Sequence, residues 1–428
     1  MQAQEQVRVV RSWHPFLEGA AARKARTTVE QIALALADDA DRMRDPSLSA
    51  GASGRAVFFA YLAREWPTMG YDDLAQRYLK RAVDELTARV RLPPSLYGGV
   101  TGVAWVVGHL RTLSPKSEPA DPGGWIDELL RVVLRRSPWS GTCDLVSGLA
   151  GLGLYALERL PRKAASDCLA CVVDRLAEDS VVIGGGIAWR SRPEHLSRTQ
   201  RDRHPEGRYD LGVAHGVPSV IAILAAAVAA DVRRDKAQRL YEGAVTWLLA
   251  QRKPAPTEVA FGHFAQETLT TAPPRSAWCY GDPGVATTLL AAARMAGDHA
   301  LEEQVLEIAR RSTTRSIERC GVRDASLCHG AAGLGHLYNR LWFATREEIF
   351  AEAARGWFDR VLKMREPGLG IAGYRSWQRG GDSGVARFTD DPSLLNGAAG
   401  IGLALLAATS SVEPGWDRLL LASLPTVP

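Results

Sequence analysis

The sequence predicts an all-α fold, a closed α/α toroid of seven inner and seven outer helices that takes up the whole chain, residues 1–428, as a single domain. Three observations support this prediction. A Gly-x-x-Gly motif recurs seven times, a mostly apolar run follows each copy, and amphipathic stretches separate the copies. Regular internal repeats of this kind are typical of proteins in which each unit buries its apolar face against its neighbours.

The repeated unit begins at the glycine motif. A glycine pair permits a tight turn and a close approach of two backbone segments immediately before a helix. The copies follow one another at spacings of roughly 50 or roughly 65 to 70 residues, and Ser219 replaces the second glycine of the fourth copy. The first glycines of the seven motifs are Gly51, Gly99, Gly148, Gly216, Gly281, Gly330 and Gly397. Seven copies at recurring spacings indicate one repeated unit, whereas a single copy would be weak evidence.

Each unit is expected to contribute one inner and one outer helix. The run after the motif, as in GVAWVVGHL and GIGLALLA, is apolar on nearly every side, which indicates a buried helix. In DDLAQRYLKRAVDELTARV, charged residues surround one apolar stripe, which indicates an outer helix that covers an inner one. The residues of this stripe are Leu74, Tyr78, Ala82 and Leu86. Closing seven such hairpins into a ring buries both ends and places all glycine turns around one central cavity.

Two polar insertions lengthen the repeat. Residues 190–210, RSRPEHLSRTQRDRHPEGRYD, account for the first long spacing and are predicted to form a surface loop or a small excursion over the ring. The last long spacing contains GYRSWQRGGDSGVARFTDD, which is predicted to be a second glycine-rich polar loop. Strand patterns are scarce in the sequence.

Composition and charge exclude several classes of function. The formal net charge of +4 is slight for 428 residues, and no dense basic stripe with interleaved aromatic residues is present, so we expect no nucleic-acid partner. No stretch reaches the roughly 18 uninterrupted apolar residues of a membrane span, and the first residues lack the apolar core of a signal peptide. We therefore expect a soluble, cytoplasmic protein. Six cysteines are too few for a disulfide scaffold.

The repeat register brings four chemically active side chains to equivalent positions. Cys279 and Cys328 each lie two residues before the first glycine of neighbouring motifs, and His215 and His329 each lie one residue before theirs. If the turns surround one cavity, these side chains converge there. Cys279, Cys328 and His329 then provide three ligands and one open position, the pattern of a catalytic zinc site. Sulfur and imidazole suit one Zn²⁺ ion, and the set lacks the carboxylates that magnesium or calcium prefers.

Other candidate residues have simpler structural explanations that remain open. Asp144, four residues before Gly148, is either a helix cap or a functional carboxylate. Arg275, four residues before Cys279, is either a surface cation or a functional group. The remaining cysteines, including the CLAC pair in a helical run, are interpreted as packing residues. They are Cys143, Cys168, Cys171 and Cys320.

At these residues the sequence resembles the lanthipeptide cyclases, the LanC-like family, in the stand-alone class I form. The matching segments are HPEGRYDLGVAHGVPS, RSAWCYGDPGVA, SLCHGAAGLGHLYNR and SLLNGAAGIGLALLA, and the resemblance spans all seven motifs. It implies a single LanC-like toroid domain that binds one zinc ion. The first unit is degenerate, and Ser219 and Asn396 depart from the family pattern.

The resemblance also implies a role for seven residues. The zinc ligands are Cys279, Cys328 and His329, and the catalytic residues are His215, Asp144, Arg275 and Tyr280. We expect His215 to protonate the α-carbon of the product, Asp144 to orient that imidazole, and Arg275 to stabilise the enolate that precedes protonation.

The implied activity is zinc-dependent closure of thioether rings, lanthionine or methyllanthionine, in a peptide. A cysteine thiol adds to the β-carbon of dehydroalanine or dehydrobutyrine. The implied partners are a dehydrated precursor peptide with leader and core, the dehydratase that modifies it, and a transporter-associated complex.

Three alternatives stay open at this stage. A LanC-like enzyme could instead add glutathione or another small thiol to dehydrated residues in proteins. Enzymes that alkylate zinc-bound thiolates, such as protein prenyltransferases, also use an α/α barrel, although a Cys-Cys-His set differs from their carboxylate-containing ligands. Finally, the protein could be a non-catalytic scaffold in which the metal only joins two units.

Overall fold

The computed structural model describes residues 13–88, 92–113, 123–254, 257–265, 274–379 and 385–424. Within these ranges most residues are helical, and the strands form two small antiparallel pairs. The predicted all-α toroid of seven inner and seven outer helices is confirmed. No helix in the same ranges is both long enough and apolar enough to cross a bilayer.

The inner layer consists of seven helices, each of which begins directly after the first glycine of a motif. Numbered in chain order, they are α2 (Ala52–Glu65), α4 (Val100–Leu113), α6 (Leu149–Glu158), α9 (Val217–Ala229), α11 (Asp282–Ala296), α13 (Ala331–Thr345) and α15 (Ala398–Thr409). Their side chains are buried on nearly every side, and every residue of α15 is buried. Each inner helix packs against the next one, and α15 packs against α2, so the layer is closed.

The outer layer also has seven helices. They are α1 (Gly19–Ala37), α3 (Tyr71–Ala88), α5 (Gly124–Leu134), α7 (Lys163–Glu178), α10 (Arg234–Ala250), α12 (His299–Thr313) and α14 (Glu348–Lys363). Along the predicted stripe of α3, Tyr78, Ala82 and Leu86 are buried, and Leu74 is half-buried. Six outer helices come directly after the inner helix that they cover in the sequence. The seventh, α1, comes before all inner helices in the sequence and packs against the last of them, α15. The N-terminal helix thus completes the last hairpin, whereas the repeat pattern predicts that each unit supplies both of its own helices.

A ring of main-chain hydrogen bonds joins the seven turns. In each turn, the residue two positions before the first glycine donates its N–H to the carbonyl of its counterpart in the next turn, and the seventh turn donates back to the first. The N···O distances lie between 2.8 and 3.4 Å. The residues of this ring are Ser49, Tyr97, Val146, Ala214, Cys279, Cys328 and Leu395. Because every turn is bonded to both neighbours, all inner helices start at the same end of the toroid.

The motif glycines allow the backbone to fold tightly at each turn. A Cβ atom on Gly51, a first glycine, would lie only 2.1 Å from the carbonyl oxygen of Asp45. A Cβ atom on Gly102, a second glycine, would also press against the Leu48 side chain of the preceding unit, at 3.0 Å. Ser219 fits at the second position of the fourth copy by donating its buried hydroxyl to a carbonyl of its own turn. Close approach within and between turns therefore explains the repeated glycines.

Short regular elements lie in the two insertions and, as a strand pair, directly before the first of them. These are β1 (Val181–Ile183), β2 (Gly186–Ala188), α8 (Arg198–Arg203), β3 (Ser376–Arg379) and β4 (Ala386–Thr389). The pairs β1–β2 and β3–β4 are antiparallel, and Trp377 lies opposite Phe388 in the second pair. These two rings meet edge to face with centroids 4.9 Å apart. The segment predicted as a glycine-rich loop therefore carries a two-stranded sheet, held by an aromatic pair across its strands.

The C-terminal segment fills the interior of the toroid. Residues Gly415–Leu420 form a 3₁₀ helix, here called the C-terminal plug. Trp278 Nε1 donates a hydrogen bond to Leu420 O at 2.8 Å, and the Tyr97 hydroxyl donates one to Leu419 O at 2.7 Å. Both donors belong to the ring of turns, so the plug reaches the inner side of the turns and supports them.

A buried charge cluster anchors the C-terminal plug. Asp417 Oδ2 accepts hydrogen bonds from His336 Nε2 at 2.8 Å and from Arg340 Nε at 2.5 Å, and all three side chains are fully buried. Burial alone would raise the pKa of Asp417, but the positive charge of Arg340 and the hydrogen bond from His336 lower it. Asp417 therefore stays ionised, and His336 has a structural role.

We predict that Asp417→Asn lowers the free energy of unfolding by about 3 to 5 kcal/mol, because the buried Arg340 would keep only the 62% exposed Glu413, at 3.5 Å, as a counter-charge. Urea denaturation followed by circular dichroism measures this change as a lower midpoint. Asp359→Asn is the matched control, since Asp359 pairs with Lys363 at the surface, where the side chains are 58% and 66% exposed. Loss of this surface ion pair should lower the free energy of unfolding by less than about 1 kcal/mol. Equal midpoints for the two variants would contradict the anchoring role of Asp417.

Candidate functional site

Neighbouring turns of the ring bring Cys279, Cys328 and His329 together. Cys279 N donates to Cys328 O at 3.3 Å, so the two cysteines lie side by side on the bonded ring. One ligand atom from each of the three residues lies within 4.8 Å of the other two. In the part of the chain that the structure describes, this is the one group of at least three His, Cys, Asp or Glu side chains with such spacing. We call these residues the ligand triad.

The ligand triad has the properties of a metal site. His329 Nε2 is buried without a hydrogen-bond partner among the described residues. Asp324 Oδ2 lies 3.6 Å from it, beyond hydrogen-bonding distance. A buried nitrogen without a partner is costly unless a ligand binds it. Two sulfurs and one imidazole are donors that zinc favours, so the residues present fit a zinc ion.

The two cysteines of the triad share a proton. The Cys328 thiol donates a hydrogen bond to the Cys279 sulfur, which lowers the pKa of Cys279 to about 6. Burial opposes this shift, and the positive charges of Arg275 and His329 favour it. The same hydrogen bond, together with burial, raises the pKa of Cys328. These effects favour the thiolate of Cys279, the form of cysteine that binds metals.

His215 and Asp144 form a hydrogen-bonded pair. His215 lies in the turn before α9 and Asp144 in the turn before α6, and His215 Nδ1 is 2.8 Å from Asp144 Oδ2. Asp144 Oδ1 accepts the main-chain N–H of Ser147 at 2.7 Å, which fixes the carboxylate. With Nδ1 occupied, Nε2 of His215 is the nitrogen that can exchange a proton with a ligand.

The charge of Asp144 favours the protonated form of His215. The surrounding protein desolvates the ring and would lower the pKa of His215, but the hydrogen bond and charge of Asp144 outweigh this effect and raise it. Asp210 and Cys279 add to the rise. The His215 side chain is 44% exposed, so its proton remains accessible to a bound molecule.

Tyr280 is oriented by Asp210. Its hydroxyl donates to Asp210 Oδ1 at 2.8 Å, and Arg208 Nη2 lies 3.0 Å from the same oxygen. Burial and the Asp210 carboxylate raise the pKa of Tyr280 well above its ordinary value. The ring centroids of Tyr280 and His215 are 6.4 Å apart. Tyr280 is thus a neutral, fixed phenol beside the histidine.

One polar cavity of about 670 Å³ joins these groups, and we call it the catalytic cavity. The four predicted catalytic residues line it; they are Asp144, His215, Arg275 and Tyr280. The insertion at residues 190–210 forms the opposite wall, with Gln200, Arg203 and His204 among its contributions. The insertion therefore limits access to His215.

Arg275 links the catalytic cavity to the ligand triad. It lines the catalytic cavity and also a second cavity that contains His329 in its wall. Its positive charge favours the thiolate of Cys279 and so adds to the lowering of that pKa. Arg275 is half-buried and borders both cavities. It is therefore placed to act on a molecule that contacts both the ligand triad and the catalytic cavity.

The other four cysteines are not part of the ligand triad. Burial raises the pKa of each, so they are thiols at neutral pH. Cys168 and Cys320 are buried, whereas Cys143 and Cys171 are half-buried. Cys143 lies beside Asp144 in the sequence, but its thiol donates to Asp179 Oδ2 at 3.0 Å. This arrangement agrees with their interpretation as packing residues.

Sequence reasoning missed two carboxylates of the site, Asp210 and Asp324. Both lie six residues before the first glycine of their motif, and so do Asp45 and Asp391, whereas the fifth motif has Arg275 there. Comparing the repeats at this position would have drawn attention to both carboxylates and to the exceptional arginine.

Comparisons with known proteins agree with this fold. Residues 42–421 match the family model described as lanthionine synthetase C-like protein. The chain is 24% identical over 324 residues to nisin biosynthesis protein NisC from Lactococcus lactis subsp. lactis, which covers 67% of this chain and 72% of the relative. A solved structure of a nisin cyclase matches with a TM-score of 0.72 and 18% identity, over 93% of this chain and 97% of that one. At this identity the structural match shows a shared fold.

We predict that the pKa of His215 falls in Asp144→Asn. The amide keeps an oxygen that can accept a hydrogen bond but loses the negative charge, while desolvation of the ring persists. Titration of the imidazole C–H signals by NMR measures the change, and His215→Ala assigns the signal. Asp359→Asn, a surface change, should leave the value unaltered. An unchanged His215 pKa in Asp144→Asn would show that the pair does not set its protonation.

Proposed function

Because the chain belongs to the lanthionine synthetase C-like family, we propose that it is a zinc-dependent lanthipeptide cyclase that closes lanthionine and methyllanthionine rings. One observation carries the proposal: a Cys-Cys-His ligand triad and a His215–Asp144 pair are linked by Arg275, which lines the catalytic cavity. The names of the relatives, a nisin biosynthesis protein and a nisin cyclase, support it.

Cys279, Cys328 and His329 would hold the zinc ion. When bound there, zinc lowers the pKa of a substrate thiol while the sulfur stays nucleophilic. Three protein ligands leave room for that thiol. Asp324, which accepts the N–H of Ser326 at 3.0 Å, keeps the loop before His329 in place.

The residues of the catalytic cavity would complete the addition. The cysteine sulfur forms a bond to the β-carbon of dehydroalanine or dehydrobutyrine, and the electrons of the double bond move onto the neighbouring carbonyl as an enolate. Arg275 stabilises this charge. His215 then gives its Nε2 proton to the α-carbon, and Asp144 holds the imidazole in position. The thiol loses one proton and the α-carbon gains one, so the peptide keeps its mass.

Tyr280 and the insertion would position the substrate. Tyr280, held by Asp210, forms a fixed wall beside His215. The insertion at residues 190–210, the first of the two polar insertions in a proposed single LanC-like toroid domain, faces the same cavity and suits contact with a flexible peptide. We propose that the partners are a precursor peptide with leader and core, its dehydratase and a transporter-associated complex, and that the protein acts in the cytoplasm.

We predict that Cys328→Ala loses bound zinc, because only two of the three ligands remain. Metal analysis of the purified protein by mass spectrometry measures the zinc content per chain. Cys320→Ala, which removes a buried thiol outside the triad, is the matched control and should keep one zinc ion. Full zinc occupancy in Cys328→Ala would remove Cys328 from the ligand set.

We predict that His215→Ala keeps its zinc but closes rings about 10² to 10⁴ times more slowly, the usual effect of removing a general acid. The assay uses a dehydrated precursor peptide and follows the loss of free thiol by alkylation and mass spectrometry. An undiminished rate in a zinc-loaded His215→Ala protein would exclude it as proton donor.

The same assay separates ring closure from addition of a small thiol. Added glutathione is present in a parallel reaction with the dehydrated peptide. Loss of the free thiol without a change in peptide mass supports the cyclase. A mass increase by one glutathione, with the peptide thiol still free, would favour the alternative enzyme that joins small thiols to dehydrated residues.

A further inference from the structure

A second cavity opens beside the ligand triad, and we call it the distal cavity. Its volume is about 570 Å³, it shares Arg275 with the catalytic cavity, and His329 forms part of its wall. Its other walls include Arg323, Trp377 and Asn396. Arg275 therefore borders both polar cavities. His329 of the ligand triad lines the distal cavity, whereas His215 lines only the catalytic one.

Trp377 forms a fixed aromatic wall of the distal cavity. Its main-chain N–H donates to Asp324 Oδ2 at 2.7 Å, which ties strand β3 to the turn that carries His329. The guanidinium carbon of Arg323 lies 5.0 Å from the Trp377 ring centroid. The indole packs on Phe388 and is half-buried, so part of it faces the cavity. A flat ring beside a guanidinium suits a peptide, whose amide planes stack on aromatic faces and whose carbonyls accept from arginine.

Asn396 offers the complementary acceptor. It lies one residue before the first glycine of the last motif, the position that His329 and His215 occupy in theirs. Its Oδ1 atom is buried and has no hydrogen-bond partner among the described residues. An unpaired buried carbonyl oxygen costs free energy that a ligand N–H would recover. Donors at Arg323 and an acceptor at Asn396 match the two polar groups of a peptide main chain.

The path of the substrate follows from these positions, provided that the proposed function is correct. The reacting thiol lies at the ligand triad and the dehydrated residue near His215, so the segment between them occupies the catalytic cavity. We propose that the distal cavity binds the main chain of the substrate peptide on the side of the reacting cysteine that points away from the dehydrated residue. Contacts to the main chain tolerate different side chains, which suits an enzyme that closes several rings in one peptide.

Two synthetic peptides test this proposal. Each carries one dehydroalanine and one cysteine, and they differ only in whether the chain continues beyond the cysteine or ends there as an amide. With the zinc-loaded protein, the extended peptide should have a KM about tenfold lower at similar kcat, the effect of one or two hydrogen bonds that form equally in the bound state and the transition state. In Asn396→Ala and in Trp377→Ala the two peptides should have nearly equal KM values.

A binding measurement gives a readout that does not depend on turnover. The same peptides with serine in place of cysteine cannot react, and fluorescence anisotropy gives their Kd values. The extended peptide should bind more tightly to the unmodified protein but not to the two variants. Trp125→Ala removes a 53% exposed indole on α5 and should keep the preference. Zinc content and thermal midpoints show whether each variant is folded and zinc-loaded. If Trp377→Ala does not fold, Asn396→Ala alone tests the distal subsite.

The outcomes separate the two proposals. Equal KM and Kd values for both peptides with the unmodified protein would overturn the distal subsite, and so would a preference that survives in Asn396→Ala and in a folded Trp377→Ala. If neither peptide is cyclised but the serine peptides still show the preference and its loss in the variants, the subsite stands and the proposed cyclase activity fails.

Discussion

The ring of seven main-chain hydrogen bonds is the constraint on which the rest of the structure depends. It uses only backbone N–H and C=O groups, so it forms whether the residue is a serine, a tyrosine or a cysteine. The bonds hold the seven turns at one end of the toroid. Side chains at the ring position and at the next residue then meet, even when they come from units as far apart in sequence as Cys279 and Cys328.

The C-terminal plug gives this ring a rigid support. Trp278 precedes Cys279 and donates to the plug, while main-chain hydrogen bonds join Cys279 and Cys328 to each other and to further turns. The buried Asp417 cluster fixes the plug in turn. The three side chains of the ligand triad are therefore held by a constrained backbone, which would keep the loss of conformational entropy small if they bind the proposed zinc ion.

The sequence pattern predicted those features that repeat within a unit. Glycine spacing marked every turn, and the register of Cys279, Cys328 and His329 followed from it. Contacts between distant segments lay beyond such reasoning. Helix α1 carries no motif that would assign it to the last hairpin, and the hydrogen bond between His215 and Asp144 joins residues 71 positions apart. The β3–β4 sheet was not predicted because its sequence is rich in glycine. The aromatic pair that joins its strands can be recognised only once the strands are paired.

The pairing of α1 with α15 has a consequence for synthesis of the chain. The main-chain N–H groups of Phe16 and Leu17 both donate to Ala408 O, and the apolar face of α1 packs on the last inner helix. A nascent chain leaves the ribosome N-terminus first, so the apolar face of α1 has no native partner until α15, the last inner helix, has been made. The helical toroid can therefore close only after its last inner helix has emerged, and a circular permutant cut between two other units would finish with a different hairpin but the same toroid.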